Sequence, residues 1–358
     1  MKQPIGIYIH WPYCLSKCPY CDFFSEVKHA DEDKIINNYL DDLNFYHNLT
    51  LNKSVTSVFF GGGTPSLIKP SNIEKLTTHI HQKWKTTSNI EITLEANPNT
   101  HKDNLFQDLK SAGINRLSLG VQALNDQALK FLGRTHTLVQ AQKSIDNVLK
   151  TFSNHSMDLI YARPNQQLQS WHQELKQASS YGFKHLSLYQ LTIEEGTPFY
   201  KQGIETLEDD QALELYNFTE TFLKEKNYNK YEVSNYSLPG SESLHNLGYW
   251  QGRDYIGIGP SAHGRITMQA TLHPCIIEPL TPQERATELL LMGLRLTTGI
   301  NKKTFQSQCG LDINNFINQS NLTKLKTQNL IKETSTHLKA TSQGLSLLNK
   351  IIEQLIDN

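Results

Sequence analysis

Near its start the chain reads "HWPYCLSKCPYCDFFS" over residues 10–25, and three of its five cysteines, Cys14, Cys18 and Cys21, fall inside this stretch. A loop so rich in sulfur supports few chemistries. A structural zinc site generally takes four protein ligands, often as paired Cys-x2-Cys knuckles, but Cys275 and Cys309 stand apart and form no second knuckle. A redox dithiol would use Cys18 and Cys21 of "CPYC" and leave Cys14 without a role. A [4Fe–4S] cluster takes one thiolate for each iron. Three clustered thiolates would then leave one iron open to a small ligand, which explains both the odd count and the missing fourth partner. For Cys275 and Cys309 the default is a buried free thiol.

Such a loop needs elements to hold it. Up to about residue 195, short β-rich runs alternate with amphipathic helical segments. The runs are "IGIYIH" (5–10), "SVFFGG" (57–62), "IEITLEA" (90–96), "NRLSLGVQ" (115–122), "MDLIYA" (157–162) and "HLSLYQLT" (185–192). Helical patterns fall at Asp33–Leu51, Asn72–Trp84, Asn104–Ala112, Leu138–Thr151 and Leu168–Tyr181. Strands alternating with helices predict βαβ units and a parallel sheet. Six units predict an α/β fold, either a partial (β/α)6 barrel or an open doubly wound sheet, with chemistry at the strand-end loops. The unusual residues gather there: the cysteines after the first run, "GGGTP" (61–65) after the second, then Glu95 and Asn97, Gln122, and Asp158.

A helical stretch at about 208–226 leads to "KYEVSNYSLPGSESLHNLGYWQGRDYIGIGPSAHGR" (230–265), which is expected to return across the barrel mouth. "HPCIIEPLTPQE" (273–284) reads as a linker. Beyond it, helical periodicity at 284–296, 321–331 and 341–355, with a strand and turn at 337–344, predicts a small winged-helix-like domain. The expected organisation is a barrel over 1–230, an extension over 231–275 and a C-terminal helical domain over 276–358.

Charge nearly cancels, with 34 Lys and Arg against 35 Asp and Glu. Residues 301–358 carry seven lysines against four acids, too mild an excess for nucleic acid as a partner. The opening "MKQPIGIYIHWPYC" lacks signal-peptide architecture, and no stretch approaches a membrane span. A reduced, cytoplasmic protein is expected, with a peripheral membrane contact still compatible.

The C-x3-C-x2-C loop after a first barrel strand resembles the radical SAM superfamily. In that superfamily S-adenosylmethionine chelates the open iron, and one electron from the cluster cleaves its sulfonium to a 5′-deoxyadenosyl radical. The resemblance implies that Cys14, Cys18 and Cys21 bind the metal cluster. It implies that Tyr8, Tyr20, Gly63, Thr64, Glu95, Gln122, Arg134, Asp158 and Thr192 contact S-adenosylmethionine. The run of "GIYIHWPYC", "CPYCDF", "FGGGTPS", "NRLSLGVQ", "LGRTH", "DLIY", "LSLYQLTIEEGTPF", "YEVSNY" and "HNLGYW" resembles the coproporphyrinogen dehydrogenase-like branch, within it the HemW family of heme chaperones. In the branch's oxygen-independent coproporphyrinogen III oxidases the cysteine motif continues to a further cysteine, where this chain has Phe23. Those oxidases also carry a longer region before the motif, against 13 residues here. Both points favour the chaperone over porphyrin decarboxylation.

"HNLGYW" resembles the chaperone signature, implicating His245, Asn246, Tyr249 and Trp250 in heme binding. The implied partners are heme and heme-accepting, respiratory proteins, with a homodimer also in view. "DLIYARPNQQ" departs from the family's usual D-L-I-Y-G-L-P-x-Q-T at Ala162, Arg163 and Gln167, and Arg163 is expected either to make a new contact or to face solvent. Leu244 stands where some relatives have cysteine or another polar residue.

Overall fold

The computed structural model of the chain describes residues 3–28, 31–98, 104–267, 269–272 and 276–356. Cys275 lies outside them. Strands β1 (Gln3–Trp11), β2 (Lys53–Gly62), β3 (Lys85–Ala96), β4 (Arg116–Gln122), β5 (Asn154–Tyr161) and β6 (His185–Gln190) lie side by side in that order, all parallel. Parallel neighbours need crossover connections. Helices α1 (Glu32–Leu49), α2 (Pro70–Lys83), α3 (Leu105–Ser111), α4 (Asp126–Phe131), α5 (Leu138–Thr151) and α6 (Leu168–Ser180) supply them.

Side chains alternate between the two faces of a strand. Ile5, Ile7 and Ile9 of β1 enter the core under the helices, as do Met157, Leu159 and Tyr161 of β5. The intervening Gly6, Tyr8 and His10, and Ser156 and Asp158, turn to the other face. Helix α5 shows why the helices dock as they do. Its Thr137–Gln140 capping box fixes the start, and Ala141, Ile145 and Val148 recur on one buried face. Burying Ile145 and Val148 stabilises the layer by about 2 kcal/mol each.

The barrel does not close. After α7 (Pro198–Lys201) and α8 (Asp209–Glu225), β7 (Asn229–Lys230) and β8 (Asn235–Ser237) add antiparallel strands beside β6. The chain then forms α9 (Leu244–Trp250), and β9 (Asp254–Ile258) pairs parallel with β1 at the other side. A buried Lys53–Asp254 ion pair of 2.6 Å ties β2 to β9. Strands β10 (His263–Ile266), β11 (Gln269–Leu272) and β12 (Ile276–Pro279) continue outward, giving a twelve-stranded sheet.

Two expectations are corrected here. Residues 230–265 do not return across the mouth: they carry the chain from one side of the open barrel to the other. Helix α9 packs on β1, β2 and β9, at the level of Gly6 and Ser57. It is held there because the Glu91 carboxylate accepts hydrogen bonds from Ser243 Oγ, Leu244 N and His245 N. The break expected at 275/276 falls between paired strands β11 and β12, whose hydrogen bonds keep both in the large sheet.

A second core runs from Ala286 to Leu355. Its elements are α10 (Pro282–Gly293), β13 (Ile300–Asn301), α11 (Lys302–Cys309), α12 (Ile313–Phe316), α13 (Gln319–Thr327), β14 (Ile331–Glu333), β15 (His337–Ala340), α14 (Ser342–Leu345) and α15 (Leu348–Ile356). The three strands form one small antiparallel sheet in the order β13–β15–β14.

Candidate functional site

The cysteine loop leaves β1 and is pinned at both ends. Cys14 N donates to Glu26 O and Glu26 N to Pro12 O, while Gly63 N and Thr64 N donate to Trp11 O and Tyr13 O. Cys14, Cys18 and Cys21 are free, half-buried thiols on the wall of a cavity of about 330 Å³ at the C-terminal ends of the strands. Beneath the loop, Tyr20 packs on a small separate core that includes Leu129, Leu132 and Phe199.

Two glycines let backbone come this close. A Cβ on Gly63 would lie 3.0 Å from Cys14 Sγ and 2.7 Å from Tyr13 O, so only glycine fits beside the first thiol. Gly133 has φ of 65°, and a Cβ there would meet the Pro19 ring at 2.4 Å. The turn after α4 can therefore seat directly on the loop and deliver Arg134. Its Nη1 donates to Cys18 Sγ at 3.4 Å, and its Nη2 donates to Asn97 Oδ1 at 2.5 Å and Gly120 O at 3.0 Å. Asn97 Nδ2 in turn donates to Thr64 Oγ1 at 3.1 Å. A fixed cation thus sits against one of the three sulfurs.

Two carboxyl groups line the same cavity as the sulfurs. Protein shields Glu95 from bulk solvent, and this burial together with the charge of Asp158 pushes its carboxyl up to about 8. Burial also raises Asp158, opposed by hydrogen bonds from Ser187, Ser118 and Ser156 and by the charge of Arg116. Ser118 Oγ donates to Asp158 Oδ2 at 2.9 Å. Gln122 ends β4 with φ of 69°, in the left-handed region, and its Oε1 is buried without a partner. An orphaned buried acceptor and a carboxyl held away from its charged form are both satisfied by a ligand that brings N–H donors and positive charge.

The residues therefore fit the group expected from the sequence. Among the described residues no three His, Cys, Asp or Glu side chains converge on a single-ion position. A four-iron cluster asks for something different, one thiolate per iron. The cavity wall includes all three cysteines together with Tyr20, Gly63, Thr64, Glu95, Gln122, Arg134, Asp158 and Thr192. Tyr8 is the exception. It stands behind Gly61 and donates from its hydroxyl to His10 Nδ1, whose Nε2 donates to Phe24 O. Asn97, legible only as a strand-end residue, proves to be the link between Arg134 and Thr64. Tyr189 also reaches the wall. Its signal was the period-two pattern of "HLSLYQ", in which His185, Ser187 and Tyr189 share a face.

The "HNLGYW" residues are not brought to this cavity. His245 lies at the level of Ser57, five residues before Gly62 on β2, or about 16 Å lower along the strand. It is buried, with Nδ1 hydrogen-bonded to Ser57 Oγ at 2.9 Å, Nε2 to the Tyr249 hydroxyl at 2.8 Å, and its ring stacked on Phe59 at 5.2 Å. Burial, and to a lesser extent Arg116, lower its pKa to about 3, so it stays neutral. Arg163, at the departure from the family pattern, faces neither solvent nor cavity. It is buried and donates from Nη2 to Glu174 Oε2 at 2.5 Å and from Nη1 to Ile160 O at 2.8 Å.

Comparison with known proteins gives consistent matches. The model of the radical SAM superfamily matches residues 8–178, and that of the HemN C-terminal domain matches 280–347. The heme chaperone HemW of Haemophilus influenzae is 34% identical over 98% of this chain and 97% of its own length. HemW of Buchnera aphidicola subsp. Schizaphis graminum is 41% identical over 74% of this chain and 71% of its own. The mitochondrial radical S-adenosyl methionine domain-containing protein 1 of Dictyostelium discoideum is 35% identical over 99% and 94%. Among solved structures, coproporphyrinogen III oxidase (HemN) of Escherichia coli superposes with a TM-score of 0.84 at 18% identity, covering 99% of this chain and 90% of that one. This last likeness is one of fold.

Proposed function

The chain belongs to the radical SAM superfamily, in the branch that joins a radical SAM domain to a HemN C-terminal domain, and from this membership we propose that it binds heme and delivers it to heme-accepting proteins. The observation that carries this reading is the full-length likeness to the Haemophilus influenzae heme chaperone.

On this reading Cys14, Cys18 and Cys21 hold a [4Fe–4S] cluster, and the other eight wall residues expected from the sequence hold S-adenosylmethionine, with Tyr8 acting from behind through His10. When bound, the cluster supplies one-electron reduction to the sulfonium. The chain's own residues do the positioning. Arg134 holds positive charge at Cys18, and the Asn97–Thr64 link fixes its angle. Glu95 ionises as cationic ligand arrives and gives up a proton from its carboxyl. Gln122 Oε1 accepts from a ligand amine. Heme is received along α9, where Asn246, Tyr249 and Trp250 present polar and flat aromatic surface and His245 orients Tyr249 from below. No helix among the described residues is long and apolar enough to cross a membrane. The reading extends to a reducing cytoplasm, a homodimer and a peripheral membrane contact near respiratory acceptors.

The test is anaerobic. Cluster-loaded protein is given hemin, then mixed with an apo-hemoprotein, and separately given coproporphyrinogen III with S-adenosylmethionine and reductant. The Soret band should appear on the chain and move to the acceptor, with no protoporphyrinogen formed in the second arm. Robust decarboxylation would make the chain an oxidase instead.

A further inference from the structure

A second cavity, of about 420 Å³, lies between the C-terminal end of α9 and the second core, and it shares no lining residue with the cysteine cavity. Its size is within the range of small-molecule sites, about 300–1,000 Å³. We propose that this cavity is the heme seat, with Trp250 as its flat wall, Arg253 facing the heme carboxylates and His337 offering an imidazole to the iron; the proposal rests on the heme-binding reading above.

The chemistry of the wall is that of a flat, apolar, anionic guest. Leu296 and Phe305 are buried in it, and the Trp250 indole faces it with a ring Nε1 that is buried without a partner. Arg253 is half-buried, and among the described residues its guanidinium has no hydrogen-bond or ion-pair partner. A cation partly withdrawn from water with no counter-charge is unfavourable unless an anion joins it. A second guanidinium, Arg295, lies 5.9 Å over the Trp250 ring. Arg295 is not part of the cavity wall, so the cation that faces the cavity is Arg253, set to meet carboxylates on one edge of a macrocycle.

The iron needs a nitrogen. His245 has none to spare, because both its ring nitrogens are bonded inside the barrel and its imidazole packs 3.3 Å from the point a Gly6 Cβ would occupy. His337, at the start of β15, lines the cavity, and its Nε2 meets only the Asn301 amide at a long 3.4 Å. Its Nδ1 is held by Thr336 Oγ1 at 2.9 Å, which orients the ring. The rim is open at exposed Thr304 and Pro4, as a site that must pass on its guest requires. The signature on α9 thus acts from its far end: Trp250 faces the guest, and Gly248, where a Cβ would meet nothing nearer than Arg253 Cδ at 3.9 Å, leaves room beside the cation.

The experiment titrates the full chain with hemin and with iron mesoporphyrin dimethyl ester, which lacks free carboxylates. His337→Ala should shift the Soret maximum and weaken hemin. Arg253→Gln should weaken hemin about tenfold or more but leave the diester unaffected. Thr304→Trp, a substitution at an exposed helix position on the rim, should block both ligands. Circular dichroism confirms that each variant is folded. If all three bind hemin with wild-type affinity and spectrum, the seat lies elsewhere and the chaperone reading stands. If the wild-type chain takes up no hemin, both fall.

Discussion

Glu95 is a residue whose chemistry the cavity changes strongly. A carboxyl raised to about 8 holds its proton in the folded state and releases it on unfolding at neutral pH. The sign follows: its contribution is most favourable below the ordinary carboxylate range and is lost as pH rises through about 8. Thermal melts of ligand-free protein should therefore show the wild type losing stability between pH 5.5 and 9. Glu95→Gln should lose less and be the more stable of the two at pH 9. Equal slopes would mean that Glu95 titrates normally. Ala162 makes a second residue-scale case. It has φ of 55° where the family's usual residue is glycine, so Ala162→Gly should stabilise by about 1 kcal/mol in denaturant melts. The sequence exposed that departure but not its cost, because a backbone angle leaves no trace in residue type.

At the scale of elements, periodicity predicted well where one face of an element is buried and poorly where pairing partners are distant. Leu138–Thr151 is a helix with the predicted bounds, since Thr137 and Gln140 cap it and its buried positions recur with helical period. Strands β8 and β9 are short and pair with strands far away in sequence, so no local pattern placed them at opposite sides of the barrel. The Arg163–Glu174 pair is another long-range feature. It fastens the turn after β5 to α6, and Glu174 Oε1 also accepts from Leu124 N. Arg163→Leu leaves a buried carboxylate unpaired and should destabilise by about 3–5 kcal/mol. The Arg163→Leu/Glu174→Leu double variant should recover part of that loss. A neutral single variant, read by chemical denaturation, would show that the pair contributes nothing net.

Over the whole molecule, the strand ends collect one chemistry and the junction with the second core another. The first was legible because cysteine spacing, glycines and strand-end acids are local signals. The second was not, because Arg253, Trp250 and His337 are brought together only when the small sheet of β13–β15 packs near α9. The account depends first on the sulfurs. Its most direct measurement is the electron paramagnetic resonance spectrum of the anaerobically reconstituted, reduced protein with and without S-adenosylmethionine. A four-iron signal whose g-values shift on adding the cofactor, and which is lost in Cys18→Ser, is the predicted result. Zinc in place of iron, or a four-iron signal that the cofactor leaves unmoved, would contradict it.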